Sequence, residues 1–167
     1  MTELKDKKSI VIYFSRADEN YGVGYIEKWN TEVIAEYIQE LAWADLFKVE
    51  RKIPYAKDYN TCIKEAKKRI GNAPIKDKPT DISAYGTVFV MRPIYWGTYA
   101  PEVETALDGL DFTGKTVRVI CTHEGSGLAS MVSDVKRMCK GANIQAGGLA
   151  IKGSKAKDSK EKIAEWL

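Results

Sequence analysis

Hydroxyl and amide side chains follow the first apolar segment of the chain and could bind a phosphate group. Residues 9–14 (SIVIYF) form a short apolar run that ends at Ser15. Asn30 and Thr31 then begin the amphipathic stretch TEVIAEYIQEL. The first turn of a helix carries unpaired backbone N–H groups and a partial positive charge, and both favour an anion. A strand, a hydroxyl-bearing loop and a helix start in this order therefore predict a phosphate site.

Two better-known phosphate motifs fit the sequence poorly. A dinucleotide-binding turn would read GxGxxG directly after the strand, but residues 22–24 (GVG) lie in mid-loop and Glu27 replaces the third glycine. The literal GxxxxGKT at 109–116 follows a helical pattern and precedes a strand, which is the reverse of a nucleotide triphosphate loop. We interpret Gly114 and Lys115 as an ordinary helix-to-strand turn. The remaining candidate for the predicted phosphate site is a mononucleotide held by hydroxyl groups and backbone amides.

Length and composition predict one soluble domain spanning 1–167. The chain has 44% hydrophobic residues, enough for a sizeable core, and no apolar run long enough for a membrane span. Its charged N-terminus lacks the apolar segment of a signal peptide, and three cysteines without CxxC spacing fit a reducing compartment. We therefore expect a cytoplasmic protein, with neither a metal site nor a membrane partner.

Charge argues against a nucleic-acid partner. The chain carries 26 basic and 23 acidic residues, for a formal net charge of +3, and the lysines are scattered rather than concentrated on one segment. A nucleic-acid-binding domain would show a strong basic patch or stripe.

Apolar, β-rich runs alternate with helical patterns along the chain, which is typical of a parallel α/β sheet. The runs predict five strands, and the second alternates in polarity as an edge strand does. We expect a three-layer, doubly wound, five-stranded parallel sheet. The predicted strands are 9–14, 45–50, 87–91, 116–121 and 144–151; the predicted helices are 31–41, 59–70, 101–110, 128–135 and 156–166.

Ligands of doubly wound sheets bind outside the carboxyl ends of the strands, where the strand order reverses. The first, third and fourth predicted strands each end in segments rich in hydroxyl, glycine or aromatic residues. The three segments are Ser15 with Arg16 after the first strand, 92–98 (RPIYWGT) after the third and 122–127 (THEGSG) after the fourth. A flat ring with a phosphate tail needs such groups, because aromatic faces stack on the ring and glycines let the backbone approach it.

Taken together, the strings SRADENYG, NTEVIAEYI, RPIYWGT and THEGSGL resemble the flavodoxins, and among them the subgroup with a long first loop. The resemblance extends from the first strand to the final helix. It implies a flavodoxin-like fold with strand order 2-1-3-4-5, one noncovalently bound FMN, and electron transfer through the flavin. It also implies protein redox partners, a donor and an acceptor.

Carried onto this sequence, the resemblance assigns three groups of cofactor-binding residues and no catalytic residue. The groups are a phosphate cradle, a platform for the flavin ring and the opposite wall of the ring site. Among the platform residues Trp96 is expected to stack on the ring, and Gly97 to turn its peptide on reduction. The cradle is Ser15, Arg16, Asn30 and Thr31; the platform is Pro93, Ile94, Tyr95, Trp96, Gly97 and Thr98; the wall is Glu124, Gly125, Ser126 and Gly127.

Two residues depart from the family pattern. Trp29 replaces a glycine before the helix start, where an indole would either point outward or narrow the cradle. Arg92 precedes Pro93 where a small or aromatic residue is usual, and its charge would either raise the flavin potential or reach solvent. Glu124 is the nearest carboxylate by sequence and would lower the potential.

Three functions remain open at the level of sequence. The first is an FMN-dependent electron carrier, which is an electron-transfer flavoprotein rather than a stand-alone enzyme. The second is an NAD(P)H-dependent flavin or quinone reductase on the same fold. The third is a flavodoxin-like module with weakened or lost FMN binding, as Trp29 and Arg92 would allow.

Overall fold

The computed structural model describes residues 8–14, 18–20, 24–26, 30–50, 75–95, 98–99 and 101–167. The helix predicted at 59–70 lies outside these residues. Among the described elements, helices follow most of the main strands, as the sequence pattern predicts. They are β1 Ser9–Phe14, β2 Asp18–Asn20, β3 Gly24–Ile26, α1 Asn30–Ala42, β4 Asp45–Val49, β5 Thr87–Tyr95, β6 Thr98–Tyr99, α2 Pro101–Leu107, β7 Thr116–His123, α3 Met131–Met138, β8 Asn143–Ile144, β9 Leu149–Lys152, a 3₁₀ helix Gly153–Asp158 and α4 Lys160–Trp166.

The main sheet is parallel and follows the order β4-β1-β5-β7, with β8 and β9 both pairing against β7. This is the predicted order 2-1-3-4-5, in which β8 and β9 together take the fifth position. The single strand predicted at 144–151 is divided because Gly147 has a φ of +74°, a left-handed conformation that leaves the strand path. The flavodoxin-like architecture is confirmed.

Two faces of the sheet carry separate apolar cores, as expected for a sheet covered on both sides. Along β5, Val88 and Val90 belong to one core, whereas Phe89 and Met91 belong to the other. The alternation follows from the two-residue period of a strand. Covering the second core, α1 packs Ile34 and other apolar residues against β1.

Strand β4 lies at one edge of the sheet, as its alternating pattern predicts. Asp45, Lys48 and Glu50 are exposed there, whereas Val49 is buried. Lys48 also forms an ion pair with Glu32 in the first turn of α1, with 3.2 Å between the Nζ and Oε1 atoms.

The turn between α2 and β7 contains Gly114, whose φ of +73° is left-handed. The segment follows a helix and precedes a strand, so the interpretation of Gly114 and Lys115 as a helix-to-strand turn is confirmed. The literal GxxxxGKT at 109–116 thus lacks the strand-to-helix context of a nucleotide triphosphate loop.

Two short hairpins are not predicted by the sequence pattern. One pairs β2 with β3 inside the long first loop, and the other pairs β5 with β6 so that Ile94 faces Tyr99 and Tyr95 faces Thr98. Strand β5 is consequently longer than the predicted 87–91. The final predicted helix, 156–166, is divided at Ser159, whose hydroxyl donates to the Ala156 carbonyl at 2.6 Å.

Arg92 is fully buried, with 0% of its surface exposed, so the alternative that it reaches solvent is excluded. It extends the alternation of Val88 and Val90 along β5 and lies in register with Cys121 of β7. Glu102 in the first turn of α2 is also fully buried. Two side chains of opposite charge, one in β5 and one in α2, are therefore removed from water.

Candidate functional site

The carboxyl ends of three neighbouring strands lie side by side in the sheet. Pro93 near the end of β5 is in register with Thr122 of β7, and His123 is in register with Lys152 of β9. Strand β1, on the other side of β5, ends at Phe14. The segments that leave β5, β7 and β9 therefore start next to one another at one edge of the sheet.

The first turn of α1 is attached to this edge through a buried hydroxyl pair. Thr31 Oγ1 and Thr122 Oγ1 are 3.3 Å apart, and both side chains are almost completely buried. Asn30 begins the helix, so the backbone N–H groups of its first turn lie at the same edge. The helix start predicted for a phosphate is thus held against the end of β7.

The loop after β7 has a defined shape that depends on its glycines and on its flanking side chains. The backbone N–H of Gly125 donates to His123 Nδ1 at 2.9 Å, and the Cys121 thiol donates to the Gly127 carbonyl at 3.4 Å. Gly125 and Gly127 have φ values of +142° and +64°, in the left-handed region that favours glycine. A Cβ atom at either position would have no atom of the described residues within 4 Å.

This open space beside the loop is the observation that bears on whether a flavin fits. A planar ring needs room against backbone that carries no side chains, and Gly125 and Gly127 provide it at the strand edge. Ser126 between them is exposed and offers a hydroxyl. The residues present on this side of the site are therefore compatible with FMN.

The side chains of Asn30 and Glu124 meet above the α-carbon of Gly153. A methyl group at Gly153 would overlap both Glu124 Oε1 and Asn30 Nδ2. The Glu124 carboxylate accepts hydrogen bonds from the backbone N–H groups of Gly153 and Ser154, at the start of the 3₁₀ helix. Three elements, α1, the loop after β7 and the 3₁₀ helix, are joined at this point.

Burial and neighbouring charges shift the titration of the two ionisable groups at the end of β7. Burial raises the pKa of Glu124 above its usual range, against the opposing effects of the Lys152 charge and of the backbone N–H groups. Burial, followed by the charges of Lys152 and Lys162, lowers the pKa of His123. The neutral imidazole can accept the Gly125 hydrogen bond, so this shift favours the observed loop conformation.

The residues predicted for the flavin platform lie along the β5–β6 hairpin. Pro93 and Ile94 are partly buried at the end of β5, and Tyr95 is paired with Thr98 across the hairpin. Trp96 and Gly97 lie outside the described residues. The same is true of Ser15 and Arg16 of the predicted cradle, and of Trp29, which differs from the family pattern. Of the predicted residues, the described part of the structure brings together those of α1 and of the loop after β7.

Three contributors to this edge were not singled out from the sequence. Thr122 fixes the helix start through Thr31, Gly153 leaves room for two polar side chains, and Lys152 acts on both Glu124 and His123. The threonine belongs to the THEGSGL string, so its position beside the site was foreseeable. Gly153 and Lys152 carry no local signal because their role depends on the pairing of β9 with β7.

Within the described residues, no group of histidine, cysteine, aspartate or glutamate side chains is arranged to hold a metal ion. The helices in that part of the chain are all too short or too polar to cross a bilayer.

The strand order, the two covered faces and the loops at the carboxyl edge define a flavodoxin-like α/β protein. The sequence profile described as "Flavodoxin" matches residues 8–167, and the chain therefore belongs to the flavodoxin family. FMN is the cofactor that this membership assigns to it. A search of curated proteins gives no match.

Solved structures share this fold at low sequence identity. An inferred flavoprotein from Bacteroides uniformis superposes with a TM-score of 0.73 at 20% identity, covering 96% of this chain and 97% of its own. A flavoprotein from Lactobacillus acidophilus NCFM, solved in complex with FMN, has a TM-score of 0.62 at 19% identity, covering 93% and 99%. Oxidised flavodoxin 2 from Bacillus cereus has a TM-score of 0.51 at 16% identity, covering 95% and 99%.

Proposed function

We propose that the protein binds one FMN at the carboxyl edge of its sheet and carries electrons between partner proteins. The observation that carries this proposal is the meeting of the α1 start with the open glycine loop after β7. Thr31 and Thr122 join the two elements, and Gly125 and Gly127 leave space beside them. The FMN complex of the similarly folded Lactobacillus acidophilus protein is consistent with this assignment.

In this proposal the phosphate end lies at the start of α1. Asn30 and Thr31 supply backbone N–H groups at the positive end of a 13-residue helix, and Ser15 and Arg16 supply a hydroxyl and a guanidinium. Each favourable charge interaction with a helix end contributes roughly 0.3–1 kcal/mol. The helix start thus binds the phosphate without requiring a metal.

The ring end lies between two segments from adjacent strands. One is the platform from Pro93 to Thr98, with Trp96 as the stacking residue, and the other is the wall from Glu124 to Gly127. Bound FMN would supply the electron-carrying chemistry, while the protein sets its potential through burial, stacking and charge. Arg92 directly precedes the platform in the sequence, and the charge of its buried side chain acts on the thiols of Cys121 and Cys139.

Spectroscopy of the purified protein tests the proposal. We expect a flavin absorption spectrum after reconstitution with FMN, and transfer of electrons from the photoreduced protein to an acceptor protein. Turnover of NADH with a quinone, without a partner reductase, would instead select the flavin or quinone reductase. A colourless protein that does not bind added FMN would select the module that has lost the cofactor.

A pair of tryptophan variants tests the ring platform. We expect Trp96→Ala to weaken FMN binding about tenfold, because stacking and burial of an aromatic face are lost together. Trp43→Ala is the control: this side chain is 69% exposed and follows the end of α1, about 20 Å along the helix from Asn30. Unchanged affinity in the Trp96 variant would remove that residue from the site.

A further inference from the structure

We propose that Glu124 determines the phosphate preference of the proposed FMN site. Its carboxylate places a negative charge beside the first residue of α1, and so weakens binding of the phosphate-bearing FMN relative to riboflavin, which has no phosphate. This inference rests on the proposed function, since it assumes that the phosphate end lies at the start of α1.

The position of the carboxylate is the first support. Glu124 Oε1 is close enough to Asn30 Nδ2 that one methyl group at Gly153 would overlap both atoms. Asn30 is the first residue of α1, so the carboxylate lies beside the side chain that begins the helix whose first-turn N–H groups would bind a phosphate. A phosphate bound at this helix start would therefore be repelled by the carboxylate.

The carboxylate is also fixed in this place. It accepts hydrogen bonds from the Gly153 and Ser154 backbone N–H groups, which hold it at the start of the 3₁₀ helix. Moving away from an incoming phosphate would break these bonds, and hydrogen bonds to a charged group are among the stronger ones in proteins. Glu124 therefore opposes the phosphate rather than yielding to it.

Among the residues that the structure describes, the charge of Glu124 is only partly compensated. Oε1 is buried and accepts no hydrogen bond from the residues that the structure describes. Lys152, at the end of β9, is exposed and acts on the carboxylate through its charge. An exposed lysine is screened by water and salt, so it offsets the carboxylate less than a buried cation would. The described groups around Glu124 consequently leave part of its negative charge uncompensated beside Asn30.

Paired binding measurements test the inference. Apoprotein is titrated with FMN and with riboflavin, and dissociation constants are taken from quenching of flavin fluorescence. We expect Glu124→Gln to bind FMN about tenfold more tightly, because a like-charge repulsion is removed, and to bind riboflavin within about twofold of the original protein. Glutamine keeps an oxygen that can accept from Gly153 and Ser154, so the loop should retain its shape.

Asp108→Asn is the matched control, since it removes the same charge and converts a carboxylate to an amide. Asp108 has an 87% exposed side chain and follows the C-terminal end of α2, whereas the proposed site lies at the helix starts. We expect both flavins to bind this variant as they bind the original protein. A general effect of net charge would appear in the two variants alike, and would overturn the inference.

The outcomes separate this inference from the proposed function. Selective strengthening of FMN binding in Glu124→Gln supports it. Equal changes for FMN and riboflavin, or no change, would show a structural role and overturn it, as would selective weakening of FMN binding. If the original protein binds neither flavin, the proposed function fails as well. If the Glu124→Gln variant does not fold, Glu124→Ala, which also removes the carboxylate, is titrated with the two flavins in its place, and the same outcomes apply.

Discussion

Replacing Gly153 with alanine should destabilise the protein, although the same change would ordinarily be favourable at the start of a helical segment. Where the backbone permits it, alanine in place of glycine stabilises a protein by roughly 0.4–1 kcal/mol by restricting the unfolded chain. At Gly153, however, the new methyl group would overlap Glu124 Oε1 and Asn30 Nδ2. The sign of the effect therefore depends on the cost of moving these two side chains.

The magnitude follows from what must move. The overlapping atoms are the ends of two side chains, which can move at low cost, so the loss comes mainly from displacing Glu124 from its hydrogen bonds to the Gly153 and Ser154 N–H groups. A net hydrogen bond contributes about 0.5–1.5 kcal/mol. After subtracting the favourable glycine-to-alanine term from the loss of two such bonds, we expect a destabilisation of about 1 kcal/mol. For a protein of this size that lowers the melting temperature by about 2–4 °C.

Urea and thermal unfolding of the apoprotein measure this loss, and a double-mutant cycle identifies its cause. In a Glu124→Ala background one of the two overlapping groups is absent, so the cost of Gly153→Ala should fall by about 1 kcal/mol or more. Two results would refute the reasoning: a neutral or stabilising Gly153→Ala variant, or an equal cost in both backgrounds. Either would mean that the contact of Glu124 with Asn30 does not constrain Gly153.

Three further predictions concern groups near or beneath the site. Because the pKa of His123 is lowered in the folded state, the contribution of this residue to stability is complete above about pH 6.5 and is lost as the pH falls through the folded-state pKa. In a His123→Gln variant the free energy of unfolding should therefore change less between pH 7 and 5, and an unchanged pH dependence would contradict this. Burial raises the pKa values of Cys121 and Cys139 to about 12, so neither thiol should react with a thiol-specific reagent at pH 8 while the protein is folded. The measurement uses a Cys62→Ser variant, which removes the third cysteine of the chain, and after unfolding in urea this variant should react with two equivalents of the reagent. The guanidinium carbon of Arg118 lies 3.8 Å from the centre of the Trp166 ring, and the same group donates to the Trp166 and Leu167 carbonyls. Arg118→Ala should therefore lower the free energy of unfolding in urea by about 2–4 kcal/mol, and a loss below about 0.5 kcal/mol would show that Arg118 does not hold the end of the chain in place.

The sheet was predictable because its signals are local and repeat along the chain. Continuous apolar runs identify β1, β5 and β7 as central strands, and the alternation in β4 identifies an edge strand. The divided fifth strand was not predicted, because the left-handed φ of Gly147 cannot be distinguished in sequence from a glycine within a strand. The same limit applies to the short hairpins, whose pairing depends on turn geometry rather than on polarity.

The meeting of α1 with the loop after β7 was predictable, but the side-chain contacts made there were not. In doubly wound sheets ligands bind outside the carboxyl ends of the strands, and this rule predicted that Thr31 and the loop after β7 lie at the same end of the sheet. The contact between the Thr31 and Thr122 hydroxyls shows that they do. The orientation of Glu124 was not predictable, because it depends on the backbone N–H groups of Gly153 and Ser154, nearly thirty residues further along the chain. Burial of Arg92 also depends on packing that the surrounding polar and aromatic letters do not indicate.

The measurement that tests the central claim most directly is a two-dimensional amide NMR titration of the ¹⁵N-labelled apoprotein with FMN. We predict a one-to-one complex in which the backbone signals of Asn30, Thr31, Gly125 and Gly127 shift the most. Gly114 and Gly141, which hydrogen-bond to each other beside the start of β7, should shift little. Saturable binding that moves the second pair and leaves the first unchanged would contradict the account, as would the absence of binding at millimolar FMN.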